Sequence, residues 1–194
     1  MKNMQYGYIF DFDGVLVNTM ELHYEAYSRA CMEAGVPVEK KQFFSQAGMT
    51  GREQIKYFAD RAGVEVDVEA VYRRKNELGK SWTERARDID CNIALLRVLK
   101  NSGAKVAVAT GSSRPSILPI MKKFGIEVDA IATSEDVPRG KPNPDLFLCA
   151  AEKLGIPPEH CIVVEDSDVG IEAARNAGMH ALRYFERRDE WPAE

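Results

Sequence analysis

Apolar and polar residues follow two different rhythms along the chain. Residues 8–10 (YIF) form a short apolar run with the aromatic and β-branched composition that is typical of a buried strand. Between residues 18 and 85, apolar residues recur at three- and four-residue spacing, and this pattern predicts helices without a strand. Helix starts are indicated by capping residues at Asn18, Thr50 and Asp67, the first two with a glutamate three residues later.

From residue 88 onward, strand and helix patterns alternate. Apolar runs predict strands at residues 105–109, 130–133, 161–164 and 181–184, with helices between them. Pro119 is expected to kink the helix over residues 115–124 or to shift its start. Strands separated by helices of this length indicate the α/β class with a doubly wound parallel sheet. We therefore predict a core domain of residues 1–17 and 87–194, interrupted by an inserted α-helical domain of residues 18–86.

The first predicted strand ends in two aspartates, Asp11 and Asp13, which flank a single residue. Side chains i and i+2 leave an extended chain on the same side, so both carboxylates can face one ligand. Gly14 lets the backbone turn tightly beside them. Two carboxylates this close repel each other unless a cation or a shared proton intervenes. One of them could bind a metal and attack phosphorus while the other carries a proton. The ordinary alternative is a surface Asp-Gly turn.

Three later segments also place polar residues after predicted strands: Thr110-Gly111-Ser112, Lys141 and Glu165-Asp166. In the first of them, a hydroxyl followed by small residues at a helix start suits a phosphate oxygen. Singly, these segments also have ordinary explanations, as a capped loop, a solvated lysine and a helix cap. Together with Asp11 and Asp13, these segments would converge at one edge of the sheet. The four carboxylates would repel one another there unless a cation were bound. An oxygen-rich set of this kind suits Mg²⁺ with a substrate phosphate. The residues are Thr110, Gly111, Ser112, Lys141, Glu165 and Asp166.

Composition narrows the possible partners and location. The 194 residues are 45% hydrophobic and 29% charged, as in ordinary globular proteins. A net charge of −4 argues against nucleic-acid or anionic-membrane partners that are bound by bulk charge. The four cysteines have no metal-type spacing, which favours free thiols in a reducing compartment. No apolar run is long enough to span a bilayer, and we expect no signal peptide because the first strand begins within a few residues of Met1. We expect a cytoplasmic monomer.

Four motifs, in this order, resemble the signature motifs of the haloacid-dehalogenase-like phosphotransferases: DFDGVLVNT, ATGSS, GKPNPDLF and VVEDSDVGIEAARNAGM. They span residues 8 to about 184. The chain is most similar to the β-phosphoglucomutase-like subgroup, which has a small helical cap after the first motif and includes many sugar-phosphate phosphatases. The resemblance implies a Rossmann-like core and a cap at residues 18–86.

The resemblance also implies roles for individual residues. Asp11 would be the nucleophile that forms an aspartyl phosphate, and Asp13 would act as general acid and then as general base. Thr110 and Lys141 would hold the transferring phosphoryl group. Mg²⁺ would be bound by Asp11, by the backbone carbonyl of Asp13 and by Asp166, with Glu165 assisting through water.

Four residues of the predicted α-helical domain fall near positions that contact substrate in β-phosphoglucomutase-like proteins: His23, Arg52, Lys75 and Asn76. Each also has a structural explanation, since His23 can pack on its helix stripe and Arg52 and Lys75 can lie on solvated faces. Cations over an acidic, metal-bound site would favour anionic substrates such as sugar phosphates.

These observations predict a Mg²⁺-dependent phosphatase that acts on a small phosphorylated metabolite, most simply a sugar phosphate. The alternative is a mutase of the β-phosphoglucomutase type, because it needs the same nucleophile and acid. A non-catalytic phosphometabolite-binding protein is less well supported, since every chemical residue is present. A dehalogenase is disfavoured because it needs neither Asp13 nor a metal cluster.

Overall fold

The computed structural model describes residues 5–46 and 48–184, and a parallel sheet lies at its centre. Its strands, in the part of the chain that is described, are β1 (Gly7–Phe10), β4 (Lys105–Ala109), β5 (Ala130–Ala132), β6 (Cys161–Glu165) and β7 (His180–Arg183), while β2 (Val17–Asn18) and β3 (Arg87–Asp88) pair separately. The five strands of the sheet hydrogen-bond in the order β5-β4-β1-β6-β7, each parallel to its neighbours. The sequence order reverses on either side of β1, which is the doubly wound arrangement that was predicted.

Helices cover both faces of this sheet because strand residues alternate between two apolar clusters. Phe10, Val106 and Val108 pack with the helices of one face, α6 (Asp90–Asn101) and α7 (Arg114–Phe124). Ile9, Ala107 and Ala109 pack with those of the other face, α8 (Asp145–Leu154) and α9 (Asp168–Asn176). A 3₁₀ turn, Pro158–His160, precedes β6. The predicted α/β class is therefore confirmed.

Residues between β2 and β3 form helices with an apolar cluster of their own. It includes Tyr27, Phe43, Ile55, Phe58 and Val71, which are all buried. The helices are α1 (Met20–Glu33), α2 (Lys40–Ser45), α3 (Gly51–Ala62), α4 (Val68–Leu78) and α5 (Trp82–Arg85), with a 3₁₀ turn, Gly79–Ser81, before α5. Among the described residues, no helix is long and apolar enough to cross a bilayer.

A short antiparallel ribbon stands where the helical segment joins the sheet. Val17 pairs with Asp88 and Asn18 pairs with Arg87. The predicted capping role of Asn18 is wrong, because α1 begins at Met20 and the N-cap position falls on Thr19. Thr19 is the N-cap of α1, but it makes no capping hydrogen bond. Its hydroxyl donates to the Asp13 carboxylate instead.

The other predicted helix starts agree with the structure. Glu53 accepts hydrogen bonds from the backbone N–H and the hydroxyl of Thr50, and Asp67 accepts one from the N–H of Ala70. Helix α7 begins at Arg114 and continues through Pro119, so the expected shift of its start is wrong. Pro119 lacks the N–H that would bond the carbonyl four residues earlier, and this loss falls in the second turn of the helix.

Candidate active site

The two aspartates of the first motif face the pocket because the residue between them belongs to the core. Phe12 is fully buried in the cluster below α6 and α7. Asp11 and Asp13 consequently lie on the opposite side of the chain and line a pocket at the carboxyl end of the sheet. The N–H of Asp11 donates to the carbonyl of Val164 on β6 over 3.0 Å, which holds this segment against the neighbouring strand.

A buried lysine links the ends of two strands. The ammonium of Lys141 lies 2.7 Å from Oδ1 of Asp11 and 2.6 Å from Oε1 of Glu165, and its side chain is inaccessible to solvent. Burial opposes the positive charge, but the two carboxylates hold the pKa of Lys141 above its usual value. Burial likewise opposes the charge of Glu165, while Lys141 and the N–H of Ser167 keep the pKa of Glu165 low. The lysine and Glu165 are therefore both charged.

Oxygen atoms of Asp11, Glu165 and Asp166 lie within 4.8 Å of one another, and this set fits a divalent cation. Burial, together with the charge of Glu165, raises the pKa of Asp166 to about 7. Burial also raises the pKa of Asp11, although Lys141 opposes this shift. Full ionisation of the three carboxylates beside one lysine would leave an excess of negative charge, which a hard cation would neutralise.

Glycine at position 14 makes room for this cluster. A Cβ on Gly14 would lie 2.4 Å from Oδ2 of Asp166, and the φ of Gly14, 90°, is in the left-handed region.

Both oxygens of Glu165 already accept hydrogen bonds, one from Lys141 and the other from the N–H and hydroxyl of Ser167. Asp11 and Asp166 are thus better placed than Glu165 to contact a metal directly.

Asp13 is surrounded by hydrogen-bond donors. Its Oδ1 accepts from the hydroxyl of Thr19 and from Nε2 of His23 at 3.0 Å, and its Oδ2 accepts from the hydroxyls of Ser112 at 2.7 Å and Thr110 at 3.3 Å. Burial opposes ionisation, but these partners, His23 foremost, hold the pKa of Asp13 below its usual value. Burial also lowers the pKa of His23, while the neighbouring charge of Asp13 opposes this shift. Asp13 is therefore an ionised carboxylate in this arrangement.

The helical segment closes the pocket from above. Gly111 touches this segment so closely that a Cβ there would lie 2.7 Å from the carbonyl oxygen of Met49. Lys75 is 3% exposed and its ammonium lies 4.7–5.6 Å from the ring centres of Tyr27, Tyr72 and Trp82. Burial lowers the pKa of Lys75 to about 8. The pocket lining includes Asp11, Asp13, His23, Lys75, Thr110, Gly111, Ser112 and Asp166.

Two of the expected substrate residues lie elsewhere. Arg52 and Asn76 line a separate cleft beside the start of α7. The guanidinium of Arg52 binds the Glu69 carboxylate through two nitrogens and lies 4.2 Å from the ring centre of Tyr72. Gly51 occupies the pocket-facing position of α3 instead, where a Cβ would lie 2.5 Å from the Tyr27 hydroxyl. The structure therefore does not bring Arg52 and Asn76 into the pocket.

The contacts of Thr19, and those of the Tyr27 and Tyr72 rings with Lys75, were not predicted from the sequence. Helical spacing could have indicated some of these neighbours, because residues three or four apart lie side by side on a helix. Tyr72 lies three residues before Lys75, and Tyr27 lies four residues after His23. Nothing in the spacing indicates that Thr19 would donate to Asp13 rather than cap its helix.

Comparisons with known proteins show which family the chain resembles. The family model described as haloacid dehalogenase-like hydrolase matches residues 8–183. Hexitol phosphatase A of Escherichia coli is 30% identical, over 91% of this chain and 81% of its own. β-Phosphoglucomutase of Bacillus subtilis is 29% identical, over 90% and 80%. The crystal structure of a CbbY variant from Rhodobacter sphaeroides in complex with xylulose-(1,5)bisphosphate is 27% identical, has a TM-score of 0.82 and is matched over 97% of this chain and 90% of its own.

The chain belongs to the haloacid dehalogenase-like hydrolase family, which confirms the resemblance of the four motifs. It is similar to the β-phosphoglucomutase-like members of that family, and it is an enzyme of the phosphatase or phosphotransferase kind.

The charge cluster predicts a large stability loss when Lys141 is changed to Met. The substitution leaves buried carboxylates without their cation, and we expect the free energy of unfolding to fall by about 3–5 kcal/mol in urea titrations. Lys105→Met is the control, because Lys105 pairs with Asp129 at 3.6 Å on the surface and should cost less than about 1 kcal/mol. Similar losses for the two variants would contradict the central role of Lys141.

Proposed function

We propose that this protein is a Mg²⁺-dependent phosphatase that hydrolyses a small phosphorylated sugar or polyol through phosphorylated Asp11. The observation that carries the proposal is the junction of Asp11, Lys141 and Asp166 beneath a pocket whose other wall holds Asp13. The names of the relatives support the substrate class, since one is a hexitol phosphatase and another was crystallised with a sugar bisphosphate.

Asp11 suits nucleophilic attack because only one of its oxygens is bound by Lys141. In the first step its Oδ2 forms a bond to phosphorus while the bond between phosphorus and the ester oxygen breaks. In the second step, water attacks the same phosphorus and the carboxylate of Asp11 leaves. Lys141 and Thr110 would neutralise and hold the phosphoryl oxygens. Mg²⁺ held by Asp11 and Asp166, with the Asp13 carbonyl and Glu165 in support, would supply further charge neutralisation.

Asp13 is proposed to move the proton in both steps. In the absence of a phosphoryl group, the hydroxyls of Thr110 and Ser112 donate to it and stabilise the carboxylate. Phosphate oxygens would compete for these hydroxyls, and their loss would raise the pKa of Asp13. Asp13 would then protonate the leaving alcohol and afterwards take a proton from the attacking water.

We further propose that residues 18–86 act as a cap domain on a core of residues 1–17 and 87–194, whose two ends lie outside the described residues. The antiparallel ribbon of β2 and β3 would be the junction. The cap would supply His23 and Lys75 to the substrate, whereas Arg52 and Asn76 would contact only a substrate that reaches the second cleft. A monomeric, cytoplasmic enzyme without nucleic-acid or membrane partners remains part of this proposal.

Changing Asp11 to Asn should abolish turnover, because an amide is too weak a nucleophile to attack phosphorus. The measurement is phosphate release over a panel of sugar and polyol phosphates, with and without a catalytic sugar bisphosphate. Asp60→Asn on the exposed face of α3 serves as control. Residual activity of a few per cent in the Asp11 variant would contradict the aspartyl-phosphate mechanism. Isomerisation that depends on the bisphosphate would identify the mutase alternative.

Mg²⁺ should stabilise protein that has been treated with a chelator, by about 1.4 kcal/mol for each tenfold excess over its Kd. Asp166→Asn should remove most of this stabilisation in thermal unfolding, whereas Asp168→Asn should keep it, since Asp168 is largely exposed and pairs with Arg183. Activity should disappear in EDTA and return with Mg²⁺. Full activity in chelator would rule out the metal assignment.

Changing Lys75 to Ala should reduce kcat/KM for the best sugar phosphate by about 1–3 kcal/mol, the range for a hydrogen bond from a charged group. Acetyl phosphate, which is too short to reach the cap, should be hydrolysed almost as before. Since the pKa of Lys75 is lowered to about 8, the ammonium is charged below that pH and neutral above it. Wild type should therefore lose its preference for the sugar phosphate as the pH rises through 8. Lys56→Ala, an exposed change on α3, is the control.

A further inference from the structure

We propose that Glu53 is a positioning residue that latches helix α3 onto the core loop that carries Lys141. The catalytic consequence rests on the proposed function, but the contact itself does not. Glu53 lies in the first turn of α3, where a glutamate ordinarily serves only to cap its own helix. Here the same carboxylate also reaches the core.

The Glu53 carboxylate accepts three different donors. Two come from Thr50, its backbone N–H at 2.9 Å and its hydroxyl at 2.6 Å. The third is the backbone N–H of Gly140, which lies 3.1 Å from both carboxylate oxygens. Gly140 is 87 residues away in sequence and directly precedes Lys141. The helix cap needs only the donors of Thr50, so the Gly140 contact serves another purpose.

Gly140 is shaped for this contact. Its φ is not in the left-handed region, so the backbone conformation does not require glycine. A Cβ at this position would nevertheless lie 2.5 Å from Oε2 of Glu53 and 2.6 Å from the backbone nitrogen of Thr50. The close approach of the first turn of α3 is therefore what excludes a side chain here.

The helical segment constrains both the backbone next to Lys141 and the side chain of Lys141. The carbonyl of Gly140 accepts two hydrogen bonds from Asn143, each 3.0 Å long, so the loop behind the latch is internally tied. Gly48, in the same helical-segment loop, packs so near that a Cβ there would lie 3.1 Å from Cδ of Lys141. Docking of residues 48–53 thus constrains both the backbone before Lys141 and its side chain. Releasing the latch should leave the ammonium less well placed toward Asp11.

The test compares variants that break the latch with one that damages a cap elsewhere. Glu53→Ala removes the latch and the cap of α3. Gly140→Ala blocks the latch sterically, because its Cβ would displace Glu53 and Thr50, but it keeps both side chains of the capping box. Asp67→Ala removes the N-cap of α4. Its carboxylate accepts from Ala70 and, among the described residues, makes no hydrogen bond to the core, so this variant matches the stability cost alone. Glu53→Gln keeps an acceptor oxygen and should retain most of the activity.

Both latch variants should lower kcat about tenfold for the sugar phosphate and for acetyl phosphate alike, with KM changed less than about twofold, because Lys141 serves the phosphoryl group that both substrates share. Asp67→Ala should lower Tm similarly to Glu53→Ala without this loss of kcat. Equal kcat for Glu53→Ala and Asp67→Ala at a temperature where both are folded would overturn the proposal.

Hydrogen exchange of the Gly140 amide gives a readout that does not depend on activity. The amide should be protected in wild type and in Asp67→Ala, and it should exchange at least about tenfold faster in Glu53→Ala. Unchanged exchange in Glu53→Ala would overturn the latch. If wild type hydrolysed no phosphate ester while exchange still depended on Glu53, the proposed function would fail and the latch would stand.

Discussion

The pairing of one buried lysine with two carboxylates is the interaction on which the rest of the site depends. Lys141 lies between Asp11 at the end of β1 and Glu165 at the end of β6, and none of the three charges could be buried alone at tolerable cost. The lysine therefore joins two neighbouring strands electrostatically where their backbone pairing stops. It also leaves one oxygen of Asp11 free toward the pocket.

The surrounding backbone is built to let these charged groups approach one another. Gly14 leaves room for Asp166, Gly170 for Glu165 and Gly140 for Glu53, each at a distance that a Cβ would not permit. The sheet beneath is packed on both faces by apolar clusters, which gives the strand ends a rigid support. Cluster and scaffold are therefore coupled, since movement of one strand end would separate Lys141 from a partner.

Residues from the helical segment complete the site at its upper side. Thr19 and His23 hold the Asp13 carboxylate, and Lys75 is kept in place by three aromatic rings. The same segment reaches the core through the capping box of α3. The contact between the helical segment and the core thus positions the residues proposed to bind the substrate and those proposed to carry out the reaction. A change in how the helical segment docks would therefore affect both substrate binding and the reaction.

The sequence by itself determined the fold class, the family and the strand ends at which the chemistry would lie. These features follow from local periodicity and from short motifs, which need no knowledge of distant contacts. Tertiary structure decided which side chains of the helical segment face the pocket. Gly51 occupies the pocket-facing position of α3, and Arg52 binds Glu69 outside the pocket. Thr19 donates a hydrogen bond to Asp13 and does not cap its helix. Glu53 accepts a hydrogen bond from Gly140, which is 87 residues away in sequence. Such contacts depend on how two packed units meet, and no spacing within one helix records that geometry.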